Sequence, residues 1–416
     1  MAAAVSARLK TIIVLAVVAS SLGVAGCGGG SSVAGIGPTP TPPPIPRPTP
    51  TPPGAAGLLM KVGSATVPPN GIFQYQLLLT EPKPIGNSST RPQLPTSPAG
   101  PVRGVAVNDA SGLAVGIAVI SGTNVSVSIQ SPNASLGTNV DYPLLILTMP
   151  INSNASGTFS VGMDPASLFF NGNTQYAIQE NVPGTLTIGG TMSITDVIPG
   201  GGAIKDGDTI SVFGIGFDPT TKIQVNNAPG AVASFISPTQ IDVKIVAPCV
   251  PESNPCVPTP SLQLDGDRIR AIKSNETVEY FSYDRTADVA GSSSNPLAAQ
   301  VHPMYSQQHF SVGTFPYSAG GTVFTGIAVQ NTDAVGDATL KVELLDGSNV
   351  ALATTASLLL PKRSQMVRDI TDLFTSVPVN TAKVRATVIT GPTIKMLGFS
   401  GDTSKGTVNP VVVTGQ

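Results

Sequence analysis

Val125-Ser126-Val127-Ser128-Ile129 places an apolar residue at every second position. Successive side chains of an extended chain point to opposite faces, so this run makes one apolar face and one hydroxyl face. Thr158-Phe159-Ser160-Val161, Thr209-Ile210-Ser211-Val212 and Leu340-Lys341-Val342-Glu343-Leu344 repeat the period. β-Branched residues fill these runs. Gly, Pro, Asn and Asp punctuate them about every 8–12 residues, the pattern of antiparallel sandwiches or barrels. Helical candidates are scarce; Asp369 to Phe374 could make one turn, with Asp369 near its start. No βαβ alternation is present, which weighs against doubly wound and barrel enzymes. The expectation is an all-β chain of tandem β-sandwich domains.

Composition agrees. Charged residues are 11% of the 416, too few for long helices, which need Glu, Lys and Arg in quantity. The net charge of −2 argues against a nucleic-acid binder. With 2 His and 3 Cys, a multi-ligand zinc site is not expected. Gly 44 and Pro 39 reflect many turns and a Pro-rich tract.

The N-terminus reads as an address. Arg8 and Lys10 precede an apolar run from Thr11 to Val18, extended more weakly to Val24, and small residues follow. That is the layout of a secretory signal. The run is short for a membrane span of ~20 residues and is interrupted by Gly and Ser. Val24-Ala25-Gly26-Cys27 resembles the bacterial lipobox, with Val24 in place of the commoner Leu. The resemblance implies cleavage of a signal peptide, residues 1–26, and a covalent lipid anchor on Cys27. Residues 27–57 form a tether. Gly28-Gly29-Gly30-Ser31-Ser32 is flexible, and ten of the sixteen residues from Pro38 to Pro53 are Pro. In polyproline II, at ~3.1 Å per residue, that tract spans about 50 Å. The expected location is the cell envelope, exported and lipid-anchored, at the outer membrane or cell surface.

Three strand-rich bodies follow. In residues 58–190, Pro143-Leu144-Leu145-Ile146-Leu147-Thr148 has bulky residues on both faces, as in a sandwich centre. With Gly157-Thr158-Phe159-Ser160-Val161 and the closing Gly184-Thr185-Leu186-Thr187-Ile188-Gly189, it resembles the cohesin sandwich, which is related to some carbohydrate-binding modules. The resemblance implies a dockerin-like protein partner held on a sheet face. Glu81 to Pro101, rich in Pro and Ser, departs from a minimal cohesin and is expected to be an exposed insert. Residues 191–284 resemble an IPT/TIG immunoglobulin-like domain through Val212-Phe213-Gly214-Ile215-Gly216-Phe217 and Ser237-Pro238-Thr239-Gln240-Ile241. Gly214 and Gly216 are not read as a phosphate loop, because Asp218-Pro219 follows instead of a helix. Residues 285–310 are expected to be a linker. Residues 311–416 resemble small sandwich modules that follow TIG domains in bacterial surface proteins, with a hairpin turn at Asp346-Gly347-Ser348-Asn349.

Chemistry is hard to assemble from these residues. His302 and His309 are the available histidine bases, both in or beside the expected linker, and no Gly-x-Ser-x-Gly elbow is present. Asp109, Asp141, Asp164 and Glu180 share a body, but turn or surface roles suit them better than paired glycosidase carboxylates. Asp206 and Asp208 read as a hairpin rather than a calcium loop. The chain has no Trp, 7 Tyr and 13 Phe, which weakens sugar stacking without removing it. Neither a catalytic residue, a metal site nor a cofactor is expected. With Cys27 lipidated, Cys249 and Cys256 remain, seven positions apart. Export to an oxidising compartment makes them a disulfide pair, contributing roughly 2.5 kcal/mol if unstrained. The expected protein is a non-enzymatic surface lipoprotein presenting β-modules for protein recognition or adhesion. The alternatives are polysaccharide capture and a structural part of an envelope secretion or assembly apparatus.

Overall fold

In Ile72–Leu79 the alternation buries Phe73, Tyr75, Leu77 and Leu79 on one face. The same rule recurs through a computed structural model that describes residues 57–107, 109, 111–139, 142–200, 203–204, 207–226, 231–246, 262–263, 267–283 and 293–416. The described residues hold strands, two 3-10 turns and no α-helix, so the chain is all-β. The turn at Ile370–Asp372 lies where the sequence suggested one, capped by the Asp369 carboxylate accepting from the Thr371 amide.

The first body shares one core among three sheets. One is five-stranded, in the order Ile178–Val182, Leu58–Val62, Ile72–Leu79, Leu145–Pro150, Gly104–Val107. A four-stranded sheet runs Ala65–Val67, Gly184–Ile188, Gly157–Met163, Pro92–Gln93. The third has six strands: Thr174–Gln175, Leu168–Asn171, Asn87–Thr90, Asn124–Gln130, Val115–Ser121 and Val301–Met304. Tyr75 is buried, and its hydroxyl donates to the Gly162 carbonyl at 3.0 Å. Burial raises its pKa, so the phenol stays neutral.

The second body is a sandwich. Ser193–Ile198, Thr209–Ile215, Gln240–Ile245 and Ala231–Ser237 form one sheet; Lys222–Val225, Arg268–Lys273 and Glu276–Phe281 form the other. The two pack through Ile210, Val212, Ile223, Val243 and Ile269. Gly216 has φ +78°, and a Cβ there would lie 2.0 Å from the Thr191 carbonyl oxygen. That glycine closes a turn that other residues cannot make. The third body stacks a sheet of Ala351–Thr354, Ala338–Leu345, Lys383–Thr390, Val312–Pro316 and Thr414–Gly415 on one of Ser364–Asp369, Val323–Asn331, Lys395–Asp402 and Thr407–Val411.

Two expectations need correction. The first is the linker. Within the described part of 285–310, Val301–Met304 pairs antiparallel with Val115–Ser121 and completes the first body's six-stranded sheet. Pro303, with no amide to offer, suits an edge strand. Just upstream, Asn295 donates to Asp369 at 2.9 Å, and the Ser293 and Ser294 hydroxyls donate to Asp372. Ala298 and Val301 then enter a core shared with Phe324, Leu397 and Phe399 of the third body. The segment is a structural strap. Sequence reading missed it because its serines, His302 and Pro303 carry no strand period.

The second is the Glu81 to Pro101 insert. It supplies Asn87–Thr90 at the middle of the six-stranded sheet, with Ile85, Ser88 and Thr90 buried. Small hydroxyl side chains fit beneath Phe169 and Leu136 there, and no apolar alternation announced the strand.

Burial opposes ionisation of Asp372, but hydrogen bonds from Ser293 and Ser294, with Arg368 nearby, hold its carboxyl below the usual range. The folded pKa is depressed, so this stabilisation is complete above the unfolded value of about 3.9 and fades as pH falls through the folded one. Asp372→Asn should lower the urea midpoint at pH 7, and by much less near pH 3. An equal shift at both pH values would show that the carboxylate's charge does not hold the strap.

Candidate recognition grooves

Both outer faces of the first body are partly occupied. Leu145–Pro150 is buried on both sides because the second body covers its outer face. There the Gln74 amide donates to the Phe281 carbonyl at 2.9 Å and accepts from the Phe281 amide at 2.7 Å. Arg268 stacks on Tyr142 and Phe281, 5.1 and 5.4 Å from the ring centres. A Cβ on Gly104 would fall 2.0 Å from the Tyr283 hydroxyl oxygen, so the two bodies meet at backbone distance. At the junction, Glu276 accepts from the Thr191 and Met192 amides. On the opposite side, Val115 and Ile117 lie under the third body, and the Ser128 hydroxyl donates to the Asn409 side-chain oxygen at 3.1 Å.

Among the described residues the first body carries several open grooves, two of which bear on recognition. One, of about 510 Å³, lies between the insert and the ends of Val115–Ser121 and Asn124–Gln130. Pro92, Leu94 and Val119 line it together with Arg91 and Asp164. The Asp164 carboxylate caps its own turn, accepting from the Ala166 amide at 2.8 Å. Among the described residues the Arg91 guanidinium has no carboxylate partner. The other, of about 500 Å³, follows the seam with the third body.

The chemistry-bearing candidates do not converge. The Asp109 carboxylate accepts from the Leu113 and Ala114 amides and from the Ser111 and Ser135 hydroxyls, so it organises turns. Glu180 lies exposed on the edge strand Ile178–Val182. His302 is in the strap strand opposite Ala118, whereas His309 bonds Thr332 at 3.0 Å. Gly214 lies within the strand Thr209–Ile215, where the Phe217 ring leaves no room for a Cβ. Among the described residues no cluster of three or more His, Cys, Asp or Glu is placed to hold a metal. Cys27, Cys249, Cys256, Asp141, Asp206, the signal peptide and the Pro-rich tract lie outside the described residues. For the cysteine pair, intact exported protein should be two hydrogens lighter than its reduced form, with Cys249 and Cys256 in one linked peptide. Free alkylation of both thiols without reduction would refute the pairing.

Among solved structures, the chain is similar to the sixth cohesin of scaffoldin B from Acetivibrio cellulolyticus, crystallised with a mutant Cel5 dockerin. Identity is 13%, covering 32% of this chain and 99% of that one, with a TM-score of 0.28. The cohesin CaCohA2 from Clostridium acetobutylicum matches at 18% identity over 32% of this chain and 94% of that one, TM-score 0.27. A non-cellulosomal cohesin from Archaeoglobus fulgidus matches at 15% over 32% and 93%, TM-score 0.28. No family model and no curated protein sequence matches the chain.

Proposed function

We propose that the chain is a non-enzymatic, lipid-anchored surface protein whose first sandwich binds a protein partner. The insert groove is the observation that carries this reading. It joins an apolar wall of Pro92, Leu94 and Val119 to the Arg91 guanidinium, which has no carboxylate partner among the described residues. Arginine is enriched among the residues that dominate protein-interface energetics, and the apolar wall beside it supplies surface that excludes water. The complementary partner presents an apolar side chain next to a carboxylate; a dockerin-like protein is the class implied by the sequence resemblance. The N-terminal pattern ending at Cys27 supports anchoring in membrane lipid, with the Pro-rich tract holding the sandwiches clear of the surface. Cleavage before Cys27 and its acylation would make the anchor covalent.

The test is a pulldown from native envelope and culture medium with residues 58–416, unmodified and as Arg91→Glu. The unmodified chain should retain a specific protein. The variant should lose about tenfold or more in affinity, the effect of replacing a charge-assisted contact with a repulsive one. Equal capture by both would remove the groove from recognition.

A further inference from the structure

We propose that the seam groove between the first and third bodies binds a neutral oligosaccharide. The inference rests on the reading of the chain as a surface binding protein, but uses a different site. Asn87, Gln130 and Asn173 of the first body face Asn409 of the third across the groove, and Phe170 lines it. Ser128 fixes the seam by its bond to Asn409. Among the described residues the Asn87, Gln130 and Asn173 amides make no side-chain hydrogen bond. They line an open groove without any charged neighbour among its lining residues.

Each amide offers a donor and an acceptor side by side. Sugar hydroxyls also donate and accept, so several amides in a row match a run of them, and an aromatic ring matches the apolar face of a pyranose. The volume, about 500 Å³, is within the usual range for small-ligand sites. Absence of lining charge disfavours an anionic ligand. An extended peptide fits less well, because strand addition needs a free backbone edge. Here Asn87–Thr90 is already paired on both sides, with Asn124–Gln130 and Leu168–Asn171. Along that strand only side chains are left to bond a ligand. Both bodies contribute to the groove, so it forms only in the assembled chain.

The test is affinity electrophoresis of residues 58–416 through gels containing hydroxyethylcellulose, xylan or galactomannan, with polygalacturonate as the anionic comparison. Retardation is expected in at least one neutral gel and should not change with added salt. Phe170→Ala, and separately Asn87→Ala with Gln130→Ala, should weaken it about tenfold, the loss of one or two ligand contacts. These side chains are at least partly exposed, and thermal melts will confirm that the variants fold. Arg91→Glu should leave the retardation intact, which separates this site from the protein-binding groove. Unretarded migration in every neutral gel, retardation only by polygalacturonate, or retardation that survives the seam variants would each overturn the proposal.

Discussion

Phe399→Ala is expected to cost about 3–5 kcal/mol of unfolding free energy, the range for deleting a buried aromatic ring. Phe399 is fully buried and meets Phe324 edge-on, with ring centres 6.3 Å apart and planes at 81°. A Cβ on Gly326 would lie 2.1 Å from the ring, so the neighbouring strand has been shaped to it. The ring also belongs to the cluster that joins Val115 and Ile117 of the first body, Ala298 and Val301 of the strap, and Leu397 of the third body. The cavity would therefore open at a junction as well as within one module. Hydrogen exchange should show lost protection in Val115–Ser121 and Val301–Met304, in addition to the third body's own strands. Urea denaturation followed by tyrosine fluorescence gives the magnitude, since the chain has no Trp. A loss below about 1 kcal/mol, or protection lost in the third body alone, would mean that the shared cluster does not couple the two.

Cys27→Ala should abolish labelling by palmitate and block lipoprotein-type cleavage, so that the exported chain keeps residues 1–26 and is heavier by that peptide. A single acyl chain gives marginal retention, roughly 10⁴ M⁻¹, whereas two or more hold a protein almost permanently at ~0.8 kcal/mol per buried methylene. The substitution removes the one thiol to which the lipobox resemblance assigns the diacylglyceryl group. Among the described residues no helix is long and apolar enough to cross a membrane. Equal palmitate incorporation in both forms would disprove the assignment.

Legibility in the sequence followed solvent contact. Asn124–Gln130 buries Val125, Val127 and Ile129 on one face, while Ser126 is exposed and Ser128 half-exposed, so its alternation was visible. Thr209–Ile215 was legible for the same reason, with Ile210 and Val212 inside. Asn87–Thr90 was not, since its inward positions are Ser88 and Thr90 and its outward ones Asn87 and Ser89. No hydrophobic period can mark a strand that has no hydrophobic residue. Both grooves were missed as sites for a related reason. Arg91 and Leu94 were visible only as parts of a Pro-rich insert, and Asn409 lies 281 residues from the Ser128 it bonds.

The sequence alone determined the strand period and the all-β class, because each depends on neighbours within about ten residues. Tertiary structure alone decided what the outer faces meet. Ile117 and Val127 are both apolar residues of paired neighbouring strands, yet Ile117 is buried beneath the third body and Val127 within the first body's own core. Gln74 reads as an ordinary outward polar residue, but it clamps the backbone of Phe281, 207 positions away. The strap strand at Val301–Met304 reaches its place only because Val115–Ser121 leaves an edge open and Asp369 and Asp372 hold the approach. Local periodicity assigns a residue to a face; which surface covers that face depends on pairings between distant segments, and no local pattern records them.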